Sequence, residues 1–267
     1  MPNPLKQMWS RSETVISGWL SIPSGYAAEI MAKAGYDALT VDMQHGVQDY
    51  QSLVACLQSI PRDGPVPMVR VPWNEPGIIG KVLDAGAMGV ICPMVNTPQE
   101  ARAFVSAVRY PPLGARSHGP IRVGTYGEAG TYYLTANTDV ICMPMIETEE
   151  AVGNIDAILD VPGIDAVYIG PGDLGMSVGL PPRIDREEPE ILRFYETVLA
   201  ACQKRGIHAG LHNSAAPYAV RMMQMGFRFV VLSSDSGILL RAAKSDVQMV
   251  QSARSEFQAG GKSNDVR

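Results

Sequence analysis

The sequence has few cysteines and no long apolar run. Its four cysteines are widely separated and include no C-x-x-C pair, which excludes the disulfide framework of small secreted proteins. No apolar stretch approaches the length of a membrane span, and the first residues carry no apolar segment that would direct secretion. We therefore expect a cytoplasmic protein with reduced cysteines and no membrane partner.

Charged residues are also sparse. They make up 18% of the chain, whereas 46% of it is hydrophobic, and the formal net charge is −5. This composition excludes a disordered chain. It also argues against general binding to nucleic acid or to an anionic membrane, since both require clustered Lys and Arg. Individual arginines still allow small anionic substrates to bind.

Several common catalytic motifs are absent. No G-x-S-x-G, P-loop or G-x-G-x-x-G sequence follows a predicted strand, which argues against hydrolase, kinase and dinucleotide-binding functions. An aldolase that works through a Schiff base needs a lysine at the end of a strand. Every lysine of this chain falls in a predicted helix, at a helix edge or in a tail, so we do not expect imine chemistry.

The chain does contain a repeated unit of helix, glycine and short β-prone run, as at Gly35, Gly86, Gly163 and Gly226. A glycine after a helix supplies the left-handed cap, and the apolar run that follows it indicates a buried strand. Helix-prone stretches separate eight such strands, which we place at 15–20, 39–43, 66–71, 90–95, 140–147, 166–170, 208–212 and 229–233. The alternation predicts a single-domain (β/α)8 TIM barrel over residues 1–267, with a disordered tail from about 258. A doubly wound open sheet is the structural alternative.

Two features of this pattern are unusual. Pro67, Pro93 and Pro144 fall inside predicted strands, and because proline cannot donate to a ladder we expect them near strand ends or bulges. Residues 110–133 form a connection that is rich in glycine and proline and long for a compact domain. Such a segment predicts either a lid over a functional site or an ordered excursion.

Polar side chains collect at the carboxyl ends of the predicted strands, where TIM barrels carry their chemistry. Glu147 and Asp173 end two apolar strands. They could hold a hard divalent cation such as Mg²⁺ or Mn²⁺, or each could simply cap the following helix. Asp42 could orient the imidazole of His45 and raise its basicity, or His45 could bond only to backbone. Arg70 would face a substrate carboxylate or a developing enolate, or would pair with one of the acids.

These residues occur in an order that resembles the HpcH/HpaI aldolase family of metal-dependent pyruvate aldolases. The resemblance covers nearly the whole chain and runs through the segments 35–37, 42–45, 69–72, 83–87, 109–112, 146–148 and 170–174. It implies a class II aldolase, a carbon–carbon lyase that cleaves a 4-hydroxy-2-keto acid reversibly to an aldehyde and pyruvate, or to a close 2-keto acid such as hydroxypyruvate, through an enolate. The alternatives are oxaloacetate decarboxylation or an acyl-CoA lyase reaction at the same site, and a barrel that only binds a metabolite.

The resemblance also implies catalytic roles. Glu147 and Asp173 match the ligands of the divalent metal ion, which would be Mg²⁺ or Mn²⁺, with Co²⁺ as a further candidate. His45 with Asp42 matches the base dyad, and Arg70 matches the residue that contacts the keto oxygen of pyruvate.

For substrate binding, the resemblance implies that the backbone of Gly172 and Asp173 holds the pyruvate carboxylate and that Trp19 and Leu211 line the pocket. Members of the family are usually hexamers whose sites lie near subunit interfaces, where Asp84 would contribute. We therefore expect a homo-oligomer.

Overall fold

The strands of the computed structural model, which describes residues 3–125 and 129–261, close into one barrel of eight parallel strands paired in chain order. The strands are Val15–Leu20 (β1), Ala38–Asp42 (β2), Val66–Arg70 (β3), Gly89–Cys92 (β4), Ile141–Ile146 (β5), Ala166–Ile169 (β6), His208–Leu211 (β7) and Phe229–Ser234 (β8). β1 pairs with both β2 and β8, so neither end of the sheet is left as an edge. The predicted (β/α)8 barrel is confirmed, and the open sheet is excluded.

The first helix precedes β1 and packs Leu5 and Trp9 with the side chains of the barrel interior, whereas the helices that follow the strands surround the barrel. The helices are Pro4–Ser10 (α1), Gly25–Ala32 (α2), Tyr50–Ser59 (α3), Pro76–Asp84 (α4), Pro98–Val108 (α5), Ala129–Asp139 (α6), Glu149–Gly153 (α7), Ile155–Leu159 (α8), Pro171–Ser177 (α9), Pro189–Arg205 (α10), Ala216–Met225 (α11) and Asp235–Gly261 (α12), with a 3₁₀ turn at Val123–Thr125. No helix in these described ranges has both the length and the apolar character needed to cross a bilayer. α12 extends to Gly261, and the rest of the predicted disordered tail, 262–267, lies outside the described residues.

The core has two layers because side chains alternate across each strand. One cluster fills the interior of the barrel and includes Met68, Ile91, Met143, Tyr168 and Phe229. The other lies between the strands and the surrounding helices and includes Val41, Val69, Val90, Ile169 and Val230. The same alternation decides which residue at each strand end faces the mouth of the barrel.

The prolines occupy the expected kinds of position with one exception. Pro67 is the second residue of β3, and Pro93 directly follows β4. Pro144 lies inside β5, opposite Cys92 of β4. The pairing of β5 with β6 begins only at Met145, so Pro144 precedes the part of β5 that pairs on that side.

The long connection after α5 packs at the end of the barrel opposite the mouth. Helices run antiparallel to the strands they follow, so the carboxyl end of α4, at Asp84, lies near the start of β4. Arg116 is buried there and donates from Nη2 to Asp84 Oδ1 at 2.7 Å, and Arg122 donates to the carbonyl of Ala85. The described residues of this segment are therefore an ordered excursion rather than a lid over the mouth.

Candidate active site

The carboxylate of Asp42 is the centre of a buried polar cluster at the ends of β1, β2 and β3. Asp42 and Arg70 are paired in the register of β2 and β3, and Arg70 Nε and Nη2 donate to Asp42 Oδ1 and Oδ2 at 2.8 and 2.6 Å. Trp19 Nε1 donates to Oδ2 at 3.1 Å, and the Arg70 guanidinium carbon lies 4.8 Å from the Trp19 ring centroid. Burial alone would raise the pKa of Asp42, but the hydrogen bonds and charge of Arg70, assisted by Trp19, hold that pKa below its usual value.

The same carboxylate holds the beginning of the loop after β2. Asp42 Oδ1 accepts hydrogen bonds from the backbone N–H groups of Gln44 and His45 at 3.1 and 3.4 Å. The His45 side chain is exposed, and within the described residues no hydrogen bond joins its imidazole to Asp42. The predicted dyad is therefore not formed in this structure, because Arg70 and Trp19 occupy the carboxylate. The alternative considered for Arg70, an ion pair with one of the acids, is the arrangement observed.

Glu147 lies across the mouth, directly after β5, and is only 1% exposed. Its Oε1 accepts a hydrogen bond from the backbone N–H of Met94 at 2.8 Å. Met94 has a left-handed φ of 55°, which is unfavourable for a residue with a side chain and is typical of strain retained near functional sites. Gly170 leaves the space that the carboxylate needs, since a Cβ at this position would lie 2.3 Å from Glu147 Oε2.

The charge of Glu147 has no compensating hydrogen-bonded cation in the described part of the chain. Burial is the main reason that the pKa of Glu147 is raised to about 7. The negative charge of Asp173 also raises this pKa, whereas the Met94 N–H group and the charge of Arg70 lower it. Asp173 is exposed in the first turn of α9. The negative charge of Asp173 thus acts on Glu147, and both carboxylates belong to the same mouth.

The donor set of this pair suits a divalent cation. Hard ions such as Mg²⁺ take one or two protein carboxylates and complete their shell with water and substrate oxygens. Within residues 3–125 and 129–261, no group of three or more His, Cys, Asp or Glu side chains could hold a metal ion, so an ion at Glu147 and Asp173 would depend on such outside ligands. A Cβ added at Gly172 would meet nothing within 4 Å, so the backbone beside this pair is open.

At the carboxyl end of β7, the residue that faces the mouth is His212, which directly follows the strand, and not Leu211. Leu211 is fully buried in the layer between strands and helices, because it points away from the barrel interior. The prediction that Leu211 lines the pocket is therefore wrong. The alternation along the strand continues to His212, whose side chain is half-buried.

The His212 ring is fixed by two aromatic neighbours. Its Nδ1 lies 2.7 Å from the hydroxyl of Tyr168, and its ring meets Trp19 edge-on with centroids 4.7 Å apart. Burial, together with the charge of Arg70 and against the opposing charge of Asp42, lowers the pKa of His212 to about 4. The imidazole is therefore neutral at physiological pH.

Asp84 is remote from this mouth. It ends α4 at the opposite end of the barrel and pairs with Arg116. Its expected contribution to a site at a subunit interface stays a prediction.

The chain is similar to known proteins over nearly its whole length. The family model described as HpcH/HpaI aldolase/citrate lyase matches residues 16–242. The chain is 38% identical to a hydroxypyruvate/pyruvate aldolase of Rhizorhabdus wittichii over 94% of this chain and 99% of that protein. It is 35% identical to a 2-keto-3-deoxy-L-rhamnonate aldolase of Salmonella gallinarum over 96% of each. A crystal structure of an HpcH/HpaI aldolase/citrate lyase family protein from Burkholderia cenocepacia J2315 is similar with a TM-score of 0.87 and 33% identity, covering 93% of this chain and 99% of that one.

Proposed function

The chain belongs to the HpcH/HpaI aldolase/citrate lyase family, and we propose that it is a class II aldolase. In this proposal it cleaves a 4-hydroxy-2-keto acid reversibly to an aldehyde and pyruvate, or to a close 2-keto acid such as hydroxypyruvate. The observation that carries the proposal is the pair of carboxylates Glu147 and Asp173, which lies across the mouth from the fixed cation Arg70. The names of the two aldolase relatives support a 2-keto acid as the substrate class.

Glu147 and Asp173 would hold the metal ion, as Mg²⁺ or Mn²⁺, with Co²⁺ as a third candidate. When bound, such an ion supplies Lewis-acid stabilisation of negative charge on substrate oxygens. Glu147 is buried without a hydrogen-bonded cation among the described residues, and the negative charge of Asp173 contributes to its raised pKa. A cation held by both carboxylates would relieve this repulsion, which supports the assignment.

Arg70 is oriented to act on the substrate. Asp42 engages its Nε and Nη2, which leaves Nη1 as the N–H group for the keto oxygen and for the enolate oxygen that forms from it. A donor held in place before the reaction stabilises developing charge without reorganisation. Asp42 and Trp19 are thus positioning residues for Arg70, and Trp19 also forms a wall of the pocket.

His45 is the imidazole nearest to this cluster along the chain, and we assign proton transfer to it. In cleavage it accepts the proton of the C4 hydroxyl, directly or through water, the C3–C4 bond breaks and the aldehyde leaves. The bond electrons pass to the enolate, which takes a proton at C3 to give pyruvate. The backbone N–H groups of Gly172 and Asp173, in the first turn of α9, hold the carboxylate of the substrate.

The test is pyruvate release from a panel of 4-hydroxy-2-keto acids and from oxaloacetate, with chelator and after restoring Mg²⁺, Mn²⁺ or Co²⁺. We expect cleavage of hydroxy-keto acids that chelator abolishes and metal restores. Activity on oxaloacetate alone would identify a decarboxylase instead. Full activity after chelation would contradict the role given to Glu147 and Asp173.

We also propose that the protein is a homo-oligomer, with the hexamer implied by its family resemblance. α12 has 27 residues and is about 40 Å long at the usual rise of a helix. Beyond its first turns it is exposed, and Leu240, Val247, Val250 and Phe257 present an apolar stripe to solvent with exposures of 53–81%. A second copy of the chain would cover this stripe, and light scattering after gel filtration tests the assembly. A monomer at micromolar concentration would contradict it.

We place the protein in the cytoplasm. All four cysteines are free and buried, which suits a reducing compartment. Fractionation of the producing cells tests this location.

A further inference from the structure

The hydroxyl of Tyr168 sets the tautomer of His212. Tyr168 is fully buried, and among the described residues its hydroxyl has only His212 Nδ1, at 2.7 Å, as a partner. A buried hydroxyl that fails to donate loses a hydrogen bond that it would make in water. Tyr168 must therefore donate to Nδ1, which makes Nδ1 the acceptor and places the ring proton on Nε2.

The Nε2–H group is left available at the mouth of the barrel. In the described part of the chain it has no hydrogen-bond partner, and it is not among the polar atoms sealed from solvent. The ring cannot swing away freely, since Trp19 packs against it with centroids 4.7 Å apart. Trp19 also contacts Arg70, at 4.8 Å, so the free N–H lies one aromatic side chain away from the proposed keto-acid site.

We propose that His212 is a specificity-determining residue that donates a hydrogen bond from Nε2 to an uncharged hydroxyl of the substrate, with Tyr168 as its positioning residue. The inference rests on the aldolase function proposed above. The hydroxyl has two sources, the 2-keto acid that acts as nucleophile, as in hydroxypyruvate, and the aldehyde that accepts it, as in glycolaldehyde.

A neutral N–H donor lacks the ion-pair attraction by which a protonated imidazole would favour a carboxylate over a hydroxyl. The low pKa of His212, caused by burial and by Arg70, keeps the ring uncharged, so it provides no ion pair to a second carboxylate. One net hydrogen bond changes binding by about 0.5–1.5 kcal/mol, which corresponds to about tenfold in kcat/KM at the upper end.

The experiment measures aldol addition with four substrate pairs. Pyruvate or hydroxypyruvate is combined with acetaldehyde or glycolaldehyde, in the presence of Mg²⁺, for the natural chain, His212→Leu and His212→Gln. His208→Gln is the matched control, because His208 begins the same strand, stacks on Trp9 at 5.1 Å and lies away from the mouth.

We expect His212→Leu to lower kcat/KM about tenfold for the pairs that carry the recognised hydroxyl. The kcat/KM for pyruvate with acetaldehyde should change by less than about threefold, since neither substrate carries the hydroxyl that His212 would bind. His212→Gln, which keeps an N–H donor, should restore part of the preference, and His208→Gln should leave it unchanged. If kcat/KM falls for the pairs that contain hydroxypyruvate, the keto acid supplies the hydroxyl, and if it falls for the pairs that contain glycolaldehyde, the aldehyde supplies it. An equal change for all four pairs would overturn the inference.

A spectroscopic measurement separates this inference from the aldolase function. The ¹⁵N spectrum of His212 should show a bare Nδ1 and a protonated Nε2, and Tyr168→Phe should mix the two tautomers. Hydroxypyruvate or glycolaldehyde should shift the Nε2 resonance, whereas pyruvate and acetaldehyde should not. If no substrate pair turns over, the proposed function fails, but this shift still decides the inference, and its absence with both hydroxylated probes would overturn it.

Discussion

Two carboxylates on opposite sides of the mouth share the same burial and differ in almost everything else. Asp42 is 4% exposed and Glu147 is 1% exposed. Asp42 accepts hydrogen bonds from Arg70, Trp19 and two backbone N–H groups, and its pKa lies below its usual value. Glu147 accepts one backbone hydrogen bond, and burial with the nearby Asp173 raises its pKa to about 7.

The charge of Asp42 is compensated by neighbouring groups of the protein. The charge of Glu147 has no hydrogen-bonded cation among the described residues. A buried ion without a partner is costly unless something external neutralises it. Asp42 uses its charge within the protein, to fix Arg70. Glu147 has no such charged hydrogen-bond partner among the described residues, which is the property expected of a ligand for an external cation. The two sides of the mouth therefore have different tasks, and substitutions should affect them in opposite directions.

The largest effect on stability is expected for Asp42→Asn. The substitution leaves Arg70, which is 8% exposed, as a buried cation without its counter-charge. The loss should be about 3 kcal/mol of unfolding free energy, measured by urea denaturation at pH 7. Asp63→Asn, at an exposed loop position, is the control and should change little. A loss below about 1 kcal/mol for Asp42→Asn would mean that the pair is solvated like a surface ion pair.

Glu147→Gln should have the opposite effect on stability and raise the free energy of unfolding of the metal-free protein. Removing an uncompensated buried charge should stabilise the fold at pH 8 by about 1–3 kcal/mol, given a pKa raised from 4.5 to about 7. Metal affinity should fall by about 100-fold or more, because a direct ligand is lost. Thermal unfolding with and without Mn²⁺ measures both effects.

The sign of this effect can be checked with pH. Glu147 has a higher pKa in the folded chain than in the unfolded chain, so the natural protein loses stability as pH rises from 4.5 to about 7. The advantage of Glu147→Gln should therefore be full at pH 8 and should disappear near pH 4.5. An advantage that does not depend on pH would show that the substitution acts by packing and not by charge.

The sequence predicts the positions of the strands that carry these carboxylates better than it predicts the contacts of their side chains. The eight strands follow from local glycine caps and apolar runs, so their positions agree with the structure within a few residues. The pairing of Asp42 with Arg70 depends on the register of two strands, and nothing in the local sequence tells this pairing from the expected one with His45. The error at Leu211 is different in kind, because counting by two along β7 from the interior residue Gly210 places His212 at the mouth.

Metal binding should depend on pH on the Glu147 side of the mouth. A ligand must lose its proton before it binds a cation, and burial raises the pKa of Glu147 to about 7. The apparent affinity for Mn²⁺ should therefore rise about tenfold between pH 6 and pH 8. Calorimetry in buffers of different ionisation enthalpy measures both the affinity and the released proton. No proton release at pH 6 would contradict the assignment of Glu147 as a ligand.

The smallest expected effect tests how much the Trp19 N–H group contributes to compensating the charge of Asp42. Trp19→Phe removes the N–H donor to Asp42 at 3.1 Å, and Trp9→Phe removes a similar donor to the carbonyl of Arg228 at 2.9 Å. Both tryptophans are buried, so the loss of apolar area is closely matched. A hydrogen bond to an ionised acceptor is about twice as strong as one to a neutral acceptor, so Trp19→Phe should cost about 1 kcal/mol more than Trp9→Phe. It should also raise the pKa of Asp42, which carboxyl ¹³C titration can follow. Equal losses would mean that Arg70 alone compensates the carboxylate.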